Sequence, residues 1–276
     1  RICFINKLDR MGASFERSFA SIIERLTPHA VRMQIPIGAE ENFKGVVDLL
    51  KMKAIYSEGE MGKVIREDEI PAEVLEEAKK WRAVLIEKIV EQDDVAMAAF
   101  FEGKEPSVAE LKKILRKATI ANKLVPVFTG TALKNKGVQL VLDGVVDYLP
   151  SPLDIPPVTG IDPNTNAPVV RHASDSEPFS ALAFKLQNDP FVGQLTFFRV
   201  YSGKIEAGSY LYNSTTGSRE RLSRIVRLQA NEREEVKVVY AGEIPLRWVS
   251  RMLVLLTLSV MKTIRLSSTK SCSLNR

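Results

Sequence analysis

A proline-rich stretch, Pro150-Ser151-Pro152-Leu153-Asp154-Ile155-Pro156-Pro157, separates two halves with different periodicity. Proline fixes φ and disfavours helix at the residue before it, so four prolines in eight positions stop any element that reaches them. Before this stretch, strand-like segments alternate with segments of helical spacing. Pro71 opens an amphipathic helix to about Gln92, Ser107-Val108-Ala109-Glu110 is a capping box for a helix to about Asn122, and the apolar run Val125-Pro126-Val127-Phe128 precedes a helix from Val138 to about Tyr148. Between residues 33 and 70 short alternating runs (Met33–Ile37, Phe43–Leu50, Ala54–Tyr56) read as antiparallel strands. Beyond the stretch, Pro178–Leu186, Leu195–Ile205, Ser209–Asn213, Arg219–Leu228 and Val236–Ile244 are strand-like with no helix between them, the pattern of a small β-barrel. The expected division is an α/β domain over 1–150, a linker over 151–168, an all-β domain over 169–244, and a different tail over 245–276.

Close to the start, the apolar run Ile2-Cys3-Phe4-Ile5 runs into Asn6-Lys7-Leu8-Asp9, and helical spacing follows from Ser14. N-K-x-D is the loop with which GTP-binding proteins read guanine. A carboxylate at Asp9 can accept from both the ring N–H and the exocyclic amine of guanine, a donor pair that adenine lacks. The stem of Lys7 can lie along the base, and Asn6 can tie the loop to neighbouring backbone. A plainer reading keeps Asn6 and Asp9 as ordinary turn and capping residues. A second strand and loop, Val125–Phe128 followed by Thr131-Ala132-Leu133, stands where a doubly wound sheet would place the element whose backbone N–H meets the guanine carbonyl. Its plainer reading is a strand-to-helix turn capped by Thr131. The two together favour the guanine reading, and the long interval between them implies an inserted α+β subdomain over about 33–110.

The sequence excludes several classes. Its 276 residues suffice for two buried cores, and it has no apolar stretch near the ~20 residues of a membrane span. Cys3 and Cys272 have no metal-site spacing and suggest a reducing compartment, while His29 and His172 stand apart without catalytic partners. The net charge of +5 permits an RNA partner without requiring one. There is no G-x-x-x-x-G-K-[ST] to cradle phosphates or place a hydroxyl on Mg²⁺. Asp9-Arg10-Met11-Gly12 has the D-x-x-G form of a γ-phosphate switch but overlaps the guanine loop, so that reading is rejected. No catalytic residue and no metal ligand is therefore assigned.

The chain resembles bacterial-type elongation factor G, a translational GTPase. The similarity is carried by Gly38-Ala39-Glu40-Glu41, Gly45–Leu49, Lys134–Gln139, Asp147–Pro152, Arg171-His172-Ala173-Ser174-Asp175, Asp189–Gly193 and Leu195–Gly203. The resemblance implies a P-loop NTPase-type domain, here lacking its P-loop half, with an inserted subdomain and then the barrel of translation proteins. It assigns guanine contacts to Asn6, Lys7, Asp9, Thr131, Ala132 and Leu133, where the family more often has Met at position 8, Ser at 131 and Phe at 133. It implies GTP or GDP as ligand, Mg²⁺ in the intact family, the ribosome as partner, a cytoplasmic location, a monomer, and neither membrane nor DNA binding. The intact parent would hydrolyse GTP during ribosomal translocation, whereas this chain is expected to be a fragment that keeps base recognition and lacks catalysis. Another translational GTPase, of the release factor three or ribosomal-protection type, is an alternative. So is a non-enzymatic ribosome- or RNA-binding module built on Arg199, Lys204, Arg219, Arg221, Arg224 and Arg227. The similarity stops after Ile244. Codons compatible with Pro245–Met252, read one base earlier, give Ala-Ala-Ala-Val-Gly-Leu-Lys-Asp, which is family-like, and those for Val260–Ser267 give Cys-Asp-Glu-Asn-Asn-Pro-Ile-Ile. Residues 245–276 are thus expected to be out-of-frame translation.

Overall fold

The computed structural model describes residues 1–161, 167–189, 193–213, 217–230, 232–249 and 257–260. Two compact units result, Arg1–Leu149 and Pro150–Arg276. No helix among the described residues is long and apolar enough to cross a membrane.

The first unit begins with β1 (Cys3–Ile5), α1 (Phe15–Arg25) and β2 (Ala30–Arg32). A meander of β3 (Gln34–Ile37), β4 (Gly45–Asp48), β5 (Lys53–Glu58) and β6 (Val64–Asp68) follows. Helices α2 (Ala72–Val90), α3 (Asp94–Phe101) and α4 (Val108–Ile120) lead to β7 (Val125–Thr129) and α5 (Val138–Tyr148). The parallel sheet has the order β1-β7-β2, and the meander is a separate four-stranded sheet in sequence order. Strand β2 and helix α3 were not anticipated. The run Ala30-Val31 is too short to carry a period, and Val95–Phe101 is apolar at every position, so neither shows one.

Local chemistry fixes the helices. Ser14 accepts from Arg17 N at the start of α1, and Ser107 and Glu110 form the reciprocal capping box of α4. Helix α4 buries Leu111, Ile114, Leu115 and Ala118, a single stripe at helical spacing, into a core shared with Leu85 and Ile89 of α2 and Ile35 and Val47 of the meander. The meander is tied to the parallel sheet through its first strand. Met33 N donates to Val127 O at 3.0 Å, and the buried Gln34 accepts from Thr129 N at 3.1 Å. Buried Arg32 lies 3.6 Å from the Trp81 ring centroid and 4.4 Å from that of Phe19, with both carboxylate oxygens of Glu16 on its fork at 2.5 and 2.7 Å. The cation is thereby paired and stacked, which offsets much of its desolvation cost.

The second unit is all β. Its strands are β8 (Val158–Ile161), β9 (Pro168–Arg171), β10 (Ser180–Asp189), β11 (Gly193–Ser202), β12 (Ile205–Glu206), β13 (Tyr210–Asn213), β14 (Ser218–Arg221), β15 (Ile225–Gln229), β16 (Glu232–Val236), β17 (Val238–Val239), β18 (Leu246–Val249) and β19 (Thr257–Val260). An antiparallel eight-stranded sheet runs β14-β13-β19-β10-β11-β18-β15-β16, with β8-β9 and β12-β17 as separate pairs. Phe179, Phe198, Val200, Leu211, Leu222, Ile225 and Val239 form its main core. The run Arg219–Leu228, read as one strand, is two. Leu222 is fully buried and its backbone pairs with Ser209 O and Gly208 N, which breaks the run between β14 and β15. In the segment after Ile244, Leu246 is buried and Arg247 is buried against Glu220, whose other carboxylate oxygen accepts from Asn213 Nδ2 at 2.7 Å.

Candidate guanine-reading site

The parallel register of β1 on β7 pairs Ile5 with Thr129, so both strands end at the same level and their following loops emerge side by side. Ligand sites of open α/β sheets form at these carboxyl ends. Leu8 N donates to Gly130 O at 3.2 Å, and Gly130 N donates to Ile5 O at 3.1 Å. A Cβ on Gly130 would lie 2.2 Å from Lys136 O, so only glycine admits the pairing in which Thr131 and Lys136 exchange two backbone bonds of 3.0 Å.

Asn6 joins the two loops. Its Oδ1 accepts from Lys7 N at 2.8 Å and from Ala132 N at 2.9 Å, although Ala132 is 126 residues away. Asp9, with a side chain 7% exposed, meets Lys134 Nζ at 2.9 Å from Oδ2. The Lys134 contact, helped by a hydrogen bond from Thr131, holds the Asp9 carboxyl down to about 2. Asp9 is therefore an ionised acceptor at any physiological pH. The structure thus brings Asn6, Asp9, Thr131 and Ala132 together. Lys7 and Leu133 are exposed, Leu133 at 74%, and Lys7 adopts a left-handed backbone with φ +64° that turns the chain after Asn6. Both side chains stand open to solvent beside the loop pair.

Four residues around these loops, Lys134, Asn135, Gln139 and Glu40, were missed by motif reading. Lys134 follows the Thr-Ala-Leu element directly, and the need of a shielded Asp9 for a counter-charge was the signal for it. Asn135 donates its amide to Met61 O at 3.1 Å, and Gln139 donates to Gly62 O at 3.4 Å, so the β5–β6 turn of the inserted meander seats against the second loop. Sequence spacing carries no trace of that contact. Glu40 accepts from Gly12 N at 2.8 Å and its own N–H donates to Leu8 O at 3.0 Å, which ties residues 10–12 into the turn before α1.

Two family models match the chain. Residues 1–151 match the Elongation factor Tu GTP binding domain, more than half of the 276 residues. The chain belongs to that family. Residues 178–245 match Elongation factor G domain 2, so the elongation factor Tu-type domain is followed by a translation-factor domain, and the chain is a translational GTPase family member. Among solved structures, a crystal structure of a protein from Thermus thermophilus aligns with a TM-score of 0.75 at 24% identity, over 95% of this chain and 36% of that one. That likeness concerns the fold, and the chain spans about a third of that protein's length.

Of the basic residues on the second unit, Arg227 pairs with Glu243 at 2.6 Å, Arg224 lies 3.4 Å from Glu235, and Arg219 lies over the Tyr210 ring. Internal pairing of this kind is what a solvated surface shows. Among the described residues no group of three or more His, Cys, Asp or Glu is placed to hold a metal ion.

Proposed function

We propose that the first unit recognises the guanine base of GTP or GDP, through Asp9 on the ring and amine N–H groups, the Ala132 N–H shared between Asn6 Oδ1 and the guanine carbonyl, Lys7 and Leu133 on the faces of the base, and Asn6 and Thr131 as supports. The observation that carries this reading is Asn6 Oδ1 bridging to Ala132 N at 2.9 Å, which sets the two loops in one recognition edge. The elongation factor G domain 2 match favours a translational GTPase of elongation factor G type, with the ribosome as partner in cytoplasmic translocation, over a release factor three or ribosomal-protection type. The second unit would then be the translation-protein barrel. Hydrolysis draws on groups outside the base-reading loops. Phosphoryl transfer depends on groups placed around the phosphates, and the sequence contains no G-x-x-x-x-G-K-[ST]. The out-of-frame origin of residues 245–276 belongs to the same reading, and the coding DNA tests it.

Calorimetric titration with guanosine, adenosine and xanthosine diphosphates tests the base reading. The wild-type chain should prefer GDP to ADP. Asp9→Asn replaces one acceptor by an N–H donor, so it should lose GDP preference and gain xanthosine diphosphate, whose C2 carries an oxygen in place of the amine. Equal affinity of the wild-type chain for GDP and ADP would refute guanine recognition.

A further inference from the structure

We propose that Lys134 is a positioning residue of the guanine site, holding the Asp9 carboxylate with both oxygens turned toward the base. The inference rests on the function proposed above and adds to it a residue outside both base-reading motifs. Lys134 Nζ is 2.9 Å from Asp9 Oδ2, and Thr131 donates to the same carboxylate. An ionised carboxylate offers about four acceptor positions on its two oxygens. Lys134, Thr131 and the backbone N–H of Asp9 itself contact it, so the paired N–H donors of guanine take the remaining position and displace the weaker internal Asp9 N–H bond. The ion pair and the base are therefore compatible occupants of one carboxylate, not competitors for it.

The ends of this arrangement are fixed unequally. The backbone at Leu8, beside Asp9, is anchored by its bonds to Gly130 O and from Glu40 N, and the Leu8 side chain is buried. That leaves the Asp9 side-chain torsions to be set by what the carboxylate touches, and Lys134 is the charged group it meets. Lys134 in turn is carried on a braced loop. Asn135, with left-handed φ +52°, is hydrogen-bonded to Met61 O, and the lack of a Cβ on Gly62 lets the inserted turn approach Lys134 O. The lysine side chain is 54% exposed and the aspartate side chain 7%, so one partner is shielded while the other supplies its charge from the surface. Such a pair adds little to overall stability but can restrict one carboxylate to one orientation.

The test compares the wild-type chain with Lys134→Met and Lys134→Arg. GDP and ADP binding are measured by calorimetry, the Asp9 carboxyl titration by carbon-13 NMR, and the unfolding midpoint by urea. Lys134→Met should weaken GDP about fivefold, the scale of a mostly exposed ion pair, leave ADP unchanged, and lower the urea midpoint only slightly as the depressed Asp9 titration is lost. The Asp9 titration should move up toward the ordinary carboxylate range, and Lys134→Arg should restore most of both effects. Unchanged or tighter GDP binding by Lys134→Met, or an unmoved Asp9 titration, overturns the role of Lys134 while leaving a wild-type preference for GDP intact. Absence of that preference in the wild-type chain defeats the guanine reading, and this inference with it.

Discussion

Asn6→Ala is the substitution that bears most directly on how the proposed base site is assembled. It removes one carbonyl acceptor that serves two backbone donors, Lys7 N at 2.8 Å and Ala132 N at 2.9 Å. A net intramolecular hydrogen bond is worth about 1 kcal/mol, and both donors here lie at exposed residues where water replaces part of the loss. The combined cost is therefore about 1–2 kcal/mol, the lower part falling on the bond that spans the two loops. Hydrogen exchange on the intact chain reads this site by site. The Ala132 amide should lose protection by about fivefold, while the Val127 and Phe128 amides within β7 keep theirs. A cost of this size moves the unfolding temperature of a unit of 149 residues by only about 2–8 °C. Asn6→Asp keeps an acceptor in place and should hold Ala132 protection near the wild-type value. Unchanged Ala132 exchange in Asn6→Ala would show that the loops are held by something other than this amide, and the account of the recognition edge would fail.

Four further outcomes follow from particular contacts. Leu115, fully buried on α4, should cost about 2–5 kcal/mol as Leu115→Ala, seen as a lower urea midpoint for the first unit. Gly62→Ala combines a left-handed φ of +60° with a Cβ 2.8 Å from Lys134 O, so it should displace the inserted turn and accelerate exchange at Asn135 while sparing the helical core. Burial raises the Asp48 carboxyl above its ordinary value despite bonds from Leu50 N and Lys51 N. A folded carboxyl raised in this way favours the folded state below the unfolded value and loses that contribution as pH rises through the folded one. Asp48→Asn retains an acceptor and should flatten that fall, giving a higher urea midpoint than wild type at pH 7 and a smaller difference at pH 4. Arg247→Ala should destabilise the second unit by about 2 kcal/mol by leaving Glu220 without its cation, and an unchanged midpoint would show that the Arg247–Glu220 pair carries no net stability.

Elements with a strong local signal were legible in the sequence. The α4 capping box, the proline at the head of α2, and the alternation of β3 to β5 each follow from chemistry within a few residues, and the observed elements lie where that chemistry puts them. What was missed depends on distant partners. Strand β2 exists because Ala30, Val31 and Arg32 pair with Val125, Pro126 and Val127, a parallel match that no local period announces. The break at Leu222 is set by Ser209 and Gly208. At the proposed site, N-K-x-D and Thr-Ala-Leu stand out as motifs because their residues are adjacent letters. Lys134 against Asp9, and Asn135 against Met61, are tertiary contacts, and their residue types are common enough that position alone gives them meaning.

The same distinction explains why base recognition and folding should separate on perturbation. Closing the 126-residue interval between Asn6 and Ala132 costs about 4 kcal/mol in chain entropy on logarithmic scaling, and one hydrogen bond returns about 1. The bond therefore cannot assemble the site. The work is done by the β1–β7 register, by Gln34 on Thr129, and by the core in which α4 and the meander pack together. Once those contacts form, the two loops are already neighbours, and Asn6, Lys134 and Asn135 only select among arrangements of loops that can no longer separate. Substitutions at these three residues should alter base affinity and local exchange before they alter global stability. Substitutions in the α4 core should lower stability first, and should impair base affinity only when the unit itself unfolds.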